Sequence, residues 1–264
     1  MDLSEEQIER YSRNIILAEI GPAGQERIRR GKILIVGAGG LGSPAALYLA
    51  AAGIGVLGLI DSDKVELSNL QRQIIHDTGS LGEDKTRSGG RRIRALNPDV
   101  ELKAFQERFS VDNAMALVRE FDFIIDGSDN FATKFLVNDA CVLAGKSFSH
   151  AGVLGFRGQA LTVDPSRADS PCLRCLLPEP PGREETPDCS RSGVLGALTG
   201  ILGSLQALEG LKFLTGAGEL LRGRLLTVEA LRLTFRTMAV PRNPDCPLCS
   251  ANKKITVLEP ALYI

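Results

Sequence analysis

The chain has 264 residues with a formal net charge of −1, 44% hydrophobic and 24% charged. That is long enough to bury a sizeable core and ordinary for a globular protein. The near-zero charge provides no global field for nucleic acid or an anionic membrane, and short basic runs such as Arg91-Arg92 with Arg94 read as the solvated face of a helix.

Residues 4–18 read as a helix capped by Ser4, with Gln7 three positions later as its reciprocal partner. The start is polar and acidic, without the apolar stretch of an export signal, so a reducing cytoplasmic setting is expected. Gly21 and Pro22 interrupt the helix, and a short second helix covers 25–30. KILIV at 32–36 is a β-branched run suited to a buried parallel strand. GAGGLG follows at once, then a helix over 43–52 and a second strand over 56–60 that stops at Asp61. This is a βαβ unit of roughly thirty residues, as in a mononucleotide-binding half.

Gly37, Gly39 and Gly42 satisfy G-x-G-x-x-G between strand and helix, with Gly40 inside the same loop. The first glycine permits a tight turn, the second lets backbone approach phosphate, and the third lets the helix pack on the sheet. The helix N-terminus then offers free amides to an anion, and Asp61 stands where an acid bonds ribose hydroxyls. This loop serves NAD and ATP alike. The polar segment 62–82 and the lysine beyond it hold Asp63, Asn69, Arg72, Gln73 and Lys85. So many cations and amides suit a triphosphate better than hydride transfer.

The alternation continues with a helix over 84–96, a strand over 100–109 and a helix over 111–120. DFII at 122–125 runs into DGSDN, and a helix covers 132–144. The fold class is therefore α/β: a Rossmann-like, mostly parallel sheet with helices on both faces. Residues 147–163 are β-rich, 165–191 form a long polar loop, and 225–239 alternate as strands, an antiparallel C-terminal extension. One continuous domain is expected: N-terminal helices 1–30, a nucleotide-binding part 31–164, and a loop, metal-site and C-terminal part 165–264. The segment 193–214 is apolar and rich in small residues, but Gln206, Glu209 and Lys212 make it a buried helix rather than a membrane span.

Cys172 and Cys175, with Cys246 and Cys249, form two C-x2-C pairs. Doubled pairs at this spacing complete the four-sulfur shell that Zn²⁺ prefers, and four thiolates leave no open position, so the site reads as structural. Cys141 lies in an apolar helix pattern and reads as core; His76 and His150 read as structural.

RYSRNI around Arg13, GAGGLG, DSDKVELSNLQRQ, Lys85, DGSDN and both cysteine pairs together resemble the ThiF/MoeB/HesA adenylyltransferases, bacterial relatives of ubiquitin-activating enzymes. The resemblance runs from about residue 10 to 250. It implies an enzyme that uses ATP and Mg²⁺ to adenylate the C-terminal glycine of a ubiquitin-like sulfur carrier serving molybdopterin, thiamine or a related sulfur pathway, releasing pyrophosphate. By motif position, Asp61 holds the ribose, Asn69, Arg72 and Lys85 line the phosphates, and Asp129 binds Mg²⁺. Arg13 reaches ATP from the other subunit of a homodimer. Cys189, before the apolar helix, stands where some relatives carry a covalent cysteine and others a dispensable one. No rhodanese-like segment follows Cys249, so a separate sulfur donor is expected. The competing readings are an NAD-dependent oxidoreductase and a non-catalytic zinc-stapled scaffold; a tRNA-modifying relative lacks the basic footprint RNA would need.

Overall fold

The computed structural model describes residues 3–182 and 193–263. Its frame is an eight-stranded sheet in the order β3-β2-β1-β4-β5-β6-β7-β8. The strands are β1 (Lys32–Val36), β2 (Val56–Ile60), β3 (Glu101–Phe105), β4 (Phe123–Asp126), β5 (Ser147–Leu154), β6 (Arg157–Val163), β7 (Arg224–Glu229) and β8 (Thr234–Ala239). Pairing is parallel from β3 to β5 and antiparallel from β5 to β8, as the sequence led us to expect.

Strand β1 shows why the pattern KILIV makes a central strand. Ile33 and Ile35 enter one core with Leu57, Leu59 and Phe123, against Ala45 and Leu49 of helix α3 (Gly42–Ala51) and Ile93 of α4 (Lys85–Leu96). Leu34 and Val36 point the other way, into a core built with α5 (Val111–Glu120) and α6 (Phe131–Ala144). Residues of alternate parity are therefore apolar on both faces, the mark of a strand covered by helices on each side. Cys141 is buried in this second core.

Helix α1 (Glu5–Ile15) has the capping box that its sequence predicts: Ser4 Oγ accepts from the Gln7 N–H, and Gln7 Oε1 accepts from the Ser4 N–H. Gly21 and Pro22 do not simply interrupt. They begin α2 (Gly21–Arg30), because proline at the first turn has the right φ and forfeits no hydrogen bond there. The expected strand over 100–109 ends at Phe105, and residues beyond it bend toward the cleft. The polar loop after β6 contains a short helix α7 (Leu173–Leu176).

Helix α8 (Gly196–Thr215) packs on α3 and over β4, β5 and β6. Its polar residues look inward. Gln206 Nε2 donates to the carbonyls of Asp126 and Ser149, at 2.9 and 3.0 Å. Glu209 Oε2 accepts from the Thr162 hydroxyl and the Leu221 N–H, at 2.6 and 2.7 Å. Among the described residues, no helix is long and apolar enough to cross a membrane.

Candidate active site

The chain leaves β1 toward β2 and β3 on one side, then returns to β4 on the other. Ligand crevices in such sheets form at this reversal, beyond the strand C-termini. Here the crevice lies between the ends of β1 and β4, and it opens into a cleft of about 1270 Å³.

The glycines divide by what forces them. Gly37 has φ of +98°, and a Cβ there would lie 2.9 Å from the Gly127 carbonyl oxygen, so the ends of β1 and β4 touch. A Cβ on Gly42 would sit 1.9 Å from the Gly37 carbonyl oxygen, which lets α3 start directly over the loop. Gly39 is different. A Cβ there would meet only Gln73 Nε2, at 3.7 Å. Among the described residues nothing else crowds position 39, so its backbone is open to the close approach of an anion.

Asp61 ends β2 with both carboxylate oxygens partly engaged: Oδ2 accepts from the Ala38 N–H and Oδ1 from the Asp63 N–H, each at 2.8 Å. Each oxygen keeps a lone pair able to accept from a further donor such as a hydroxyl. Burial pushes the Asp61 carboxyl up, against the pull of Lys85 and the two N–H groups. Lys85 is buried at the start of α4, and its Nζ lies 2.9 Å from Asp63 Oδ2. Arg72 is half-buried and bonds the Ser68 carbonyl through Nη1 at 3.1 Å. Glycine at 196 lets the start of α8 rest on this segment, since a Cβ there would lie 2.3 Å from the Gln71 carbonyl oxygen.

Asp129 is exposed in the turn between β4 and α6, facing the same cleft. The cleft thus gathers Gly37, Gly39, Gly40, Asp61, Asp63, Arg72, Lys85 and Asp129. Three expected residues do not line it. Gly42 is behind the loop; Asn69 is buried, with its Oδ1 capping the turn Leu67–Asn69 through the Glu66 N–H; and Arg13 is exposed on the last turn of α1. Cys189 lies outside the described residues. The sequence reading missed Glu107, Arg108 and Phe109 beyond β3, Lys134 on α6, Arg157 and Arg236 on the antiparallel strands, and Arg232 in the turn between β7 and β8. The first three could have been found from the rule that sites form at strand C-termini; the arginines needed the register of β6 to β8.

Both histidines are structural. His76 bridges the Ala38 carbonyl and Ser88 hydroxyl, and His150 bonds Asp126. Burial lowers the pKa of each. An unfolded histidine gains its proton near pH ~6.5, whereas these resist protonation, so the unfolded state binds more protons below that pH. Native stability should therefore fall as pH drops below about 6.5, by up to ~1.4 kcal/mol per pH unit per histidine. Urea unfolding midpoints measured between pH ~8 and ~5.5 check this; a flat profile would contradict it.

The sulfurs of Cys172, Cys175, Cys246 and Cys249 all lie within 4.8 Å of one another, a cluster able to hold a metal ion. Arg174, between the first two, is fully buried and grips Asp139 of α6 with Nε and Nη2, at 2.8 to 3.0 and 2.7 Å. Tyr263 adds its hydroxyl to Asp139 at 3.0 Å. The cysteine cluster is thereby tied to the helix that begins beside Asp129.

The sequence pattern of the ThiF family matches residues 11–248. The chain belongs to the ThiF family. It is 45% identical to the SAMP-activating enzyme E1 of Haloferax volcanii, over 94% of this chain and 91% of that one. It is 44% identical to a sulfur carrier protein adenylyltransferase of Thermus thermophilus, over 94% of this chain and 93% of the relative. Adenylyltransferase and sulfurtransferase MOCS3 of Bos taurus is 47% identical over 97% of this chain, which spans 56% of that longer protein. Among solved structures, Escherichia coli MccB shares the fold with a TM-score of 0.81 at 24% identity, covering 98% of this chain and 75% of that one.

Proposed function

We propose that this protein is an ATP-dependent adenylyltransferase that joins AMP to the C-terminal glycine of a ubiquitin-like sulfur carrier, releasing pyrophosphate. The observation that carries the reading is the joint presence, in one cleft, of a glycine loop open at Gly39, the cations Arg72 and Lys85 and the exposed carboxylate of Asp129. Relatives of nearly equal length are named for sulfur-carrier adenylylation and for SAMP activation. The cleft exceeds the ~300–1,000 Å³ common for small-ligand sites, so it has space for a second reactant beside a nucleotide.

The attacking carboxylate is already ionised near neutral pH, so no general base is required. The obstacle is anion meeting anion. Arg72 and Lys85 reduce that repulsion, the loop amides at Gly39 and Gly40 hold phosphate, and Asp61 orients the ribose. Mg²⁺, when bound, would screen the phosphates and stabilise the leaving pyrophosphate. Asp129 is its proposed protein ligand. Gly40 contributes a second constraint: a Cβ there would crowd Thr199 Oγ1 at 3.1 Å and Arg72 Cγ at 3.3 Å, displacing the arginine.

Arg13 fits the reading as a residue that serves the partner protomer of a homodimer. Ile16 and Leu17, just after α1, and Tyr48 on α3 are exposed apolar residues that would supply area for such a contact. The four-cysteine cluster is read as a zinc site. A tetrahedral ion with Zn–S of ~2.3 Å needs sulfurs ~3.8 Å apart. Three of the six sulfur pairs are 3.9, 3.6 and 3.4 Å apart and all six lie within 4.8 Å, close to that spacing. Sulfur delivery by a separate donor belongs to the same reading.

ATP–pyrophosphate exchange tests it. Exchange should appear with Mg²⁺ and a ubiquitin-like carrier ending in Gly-Gly, and vanish when the terminal glycine is deleted. Exchange that ignores the carrier tail would exclude it as the acceptor.

A further inference from the structure

One buried charge cluster lies directly beneath the cleft. Asp126, at the end of β4, is fully buried. Its Oδ2 accepts from Lys134 Nζ at 3.1 Å and from His150 Nδ1 at 2.8 Å. Its Oδ1 accepts from the Ser128 N–H at 3.1 Å and the Ser128 hydroxyl at 2.5 Å. Lys134 is only 7% exposed, lines the cleft, and also donates to the Ala151 carbonyl at 2.6 Å. Burying an ammonium is costly even when it is paired, and an apolar side chain of similar length would fill the place more cheaply. The charge therefore calls for a reason beyond packing.

The geometry supplies one. Asp126 and Lys134 bracket the turn 127–130, one on β4 and the other on the first turn of α6. Ser128 is tied back to Asp126. Asn130 caps α6 by accepting from the Thr133 N–H at 2.9 Å. The residues on either side of Asp129 are thus both held, while the Asp129 carboxylate has no ion-pair or hydrogen-bond partner among the described residues and faces the cleft. Lys134 closes the frame, because it joins α6 to the end of β4 and the middle of β5.

We propose that Lys134 is a positioning residue for metal binding: by pairing with Asp126 and the Ala151 carbonyl it fixes the turn that aims Asp129 at Mg²⁺. This rests on the reading of Asp129 as the metal's protein ligand. Lys134 does not touch the metal or the nucleotide; it acts through the turn.

The test uses Mn²⁺ as the metal probe and an α,β-methylene analogue of ATP as the nucleotide, with the full chain. Lys134→Met leaves Asp126 without its cation and risks misfolding, so Asp126→Asn with Lys134→Met is made alongside it, removing both charges. Outer partners of metal ligands typically change metal affinity ~10–100-fold. Mn²⁺ affinity of the nucleotide complex, read by paramagnetic resonance, should fall by about tenfold or more in the folded variants. Metal-free affinity for the analogue, read by calorimetry, should stay within about twofold, and Lys134→Arg should restore most of the Mn²⁺ affinity. Unchanged Mn²⁺ affinity in the double variant, equal losses of metal and nucleotide affinity, or failure of arginine to rescue would each overturn the proposal. Asp129→Ala is measured in parallel. If it binds Mn²⁺ like the wild type, the metal assignment fails and this proposal with it; if it does not, a normal double variant defeats the lysine's role alone.

Discussion

Asp129→Ala is expected to lower carrier-dependent ATP–pyrophosphate exchange by at least about 10²–10³-fold while leaving the thermal unfolding midpoint unchanged. The size follows from what the carboxylate does in the proposed site. Removing a single well-placed stabilising group from a reaction centre commonly loses that factor, and a metal ligand stands behind all the charge the metal neutralises. Stability should be indifferent, because Asp129 is exposed and its neighbours Ser128 and Asn130, not Asp129 itself, hold the turn. Rate measurements with purified variant and wild type decide the matter. Full exchange by the variant would remove Asp129 from the site, and joint loss of exchange and fold would make its role structural.

The second large effect belongs to the four cysteines. Purified protein should carry one equivalent of zinc, and Cys246→Ser should lose it. An ion held at a thousand times its dissociation constant adds about 4 kcal/mol to stability. For a chain of this size that corresponds to a shift of about 8–16 °C in the unfolding midpoint. Cys172 and Cys246 sit in the core beside Val163 and Leu248, so the ion would tie the loop after β6 and the C-terminal segment to that core. The loss should reach the cleft as well, since Arg174 connects the cluster to Asp139 on α6. Metal analysis together with calorimetry checks this. Stoichiometric zinc in Cys246→Ser, or an unchanged midpoint after chelation, would contradict the assignment.

What the sequence made legible was whatever local chemistry decides. KILIV and DFII are strands because apolar residues of both parities need cover on both faces. GAGGLG could be placed between strand and helix from its flanks, and Ser4 with Gln7 announced the start of α1. The charges within 193–214 argued for a buried helix, and the structure gives Gln206 and Glu209 their inward partners. The doubled C-x2-C pairs met in space as their spacing required.

The unread features depend on distant parts of the chain. Pro22 can end one helix or begin another, and only the backbone before it selects which. Asn69 reads as a donor to phosphate beside Arg72; that its oxygen also caps the local turn, leaving Nδ2 as its donor, is not announced by the pattern. Lys134 stands in FATKFLVN, where a lone lysine reads as a solvated face; its burial follows from the approach of β5, which no helical pattern reveals. Arg157, Arg232 and Arg236 join the cleft only through the antiparallel register of β6 to β8. Arg13 is exposed on α1, and the role proposed for it needs a second copy of the chain.

The most direct examination follows the fate of the phosphates. Incubated with Mg²⁺, a Gly-Gly-ending carrier and ATP labelled at the α-phosphorus, the enzyme should place the label on the carrier tail and release unlabelled pyrophosphate. Formation of ADP, or label on the carrier only when ATP is marked at the γ-phosphorus, would mean that the cleft transfers a phosphoryl group rather than AMP and would contradict the account.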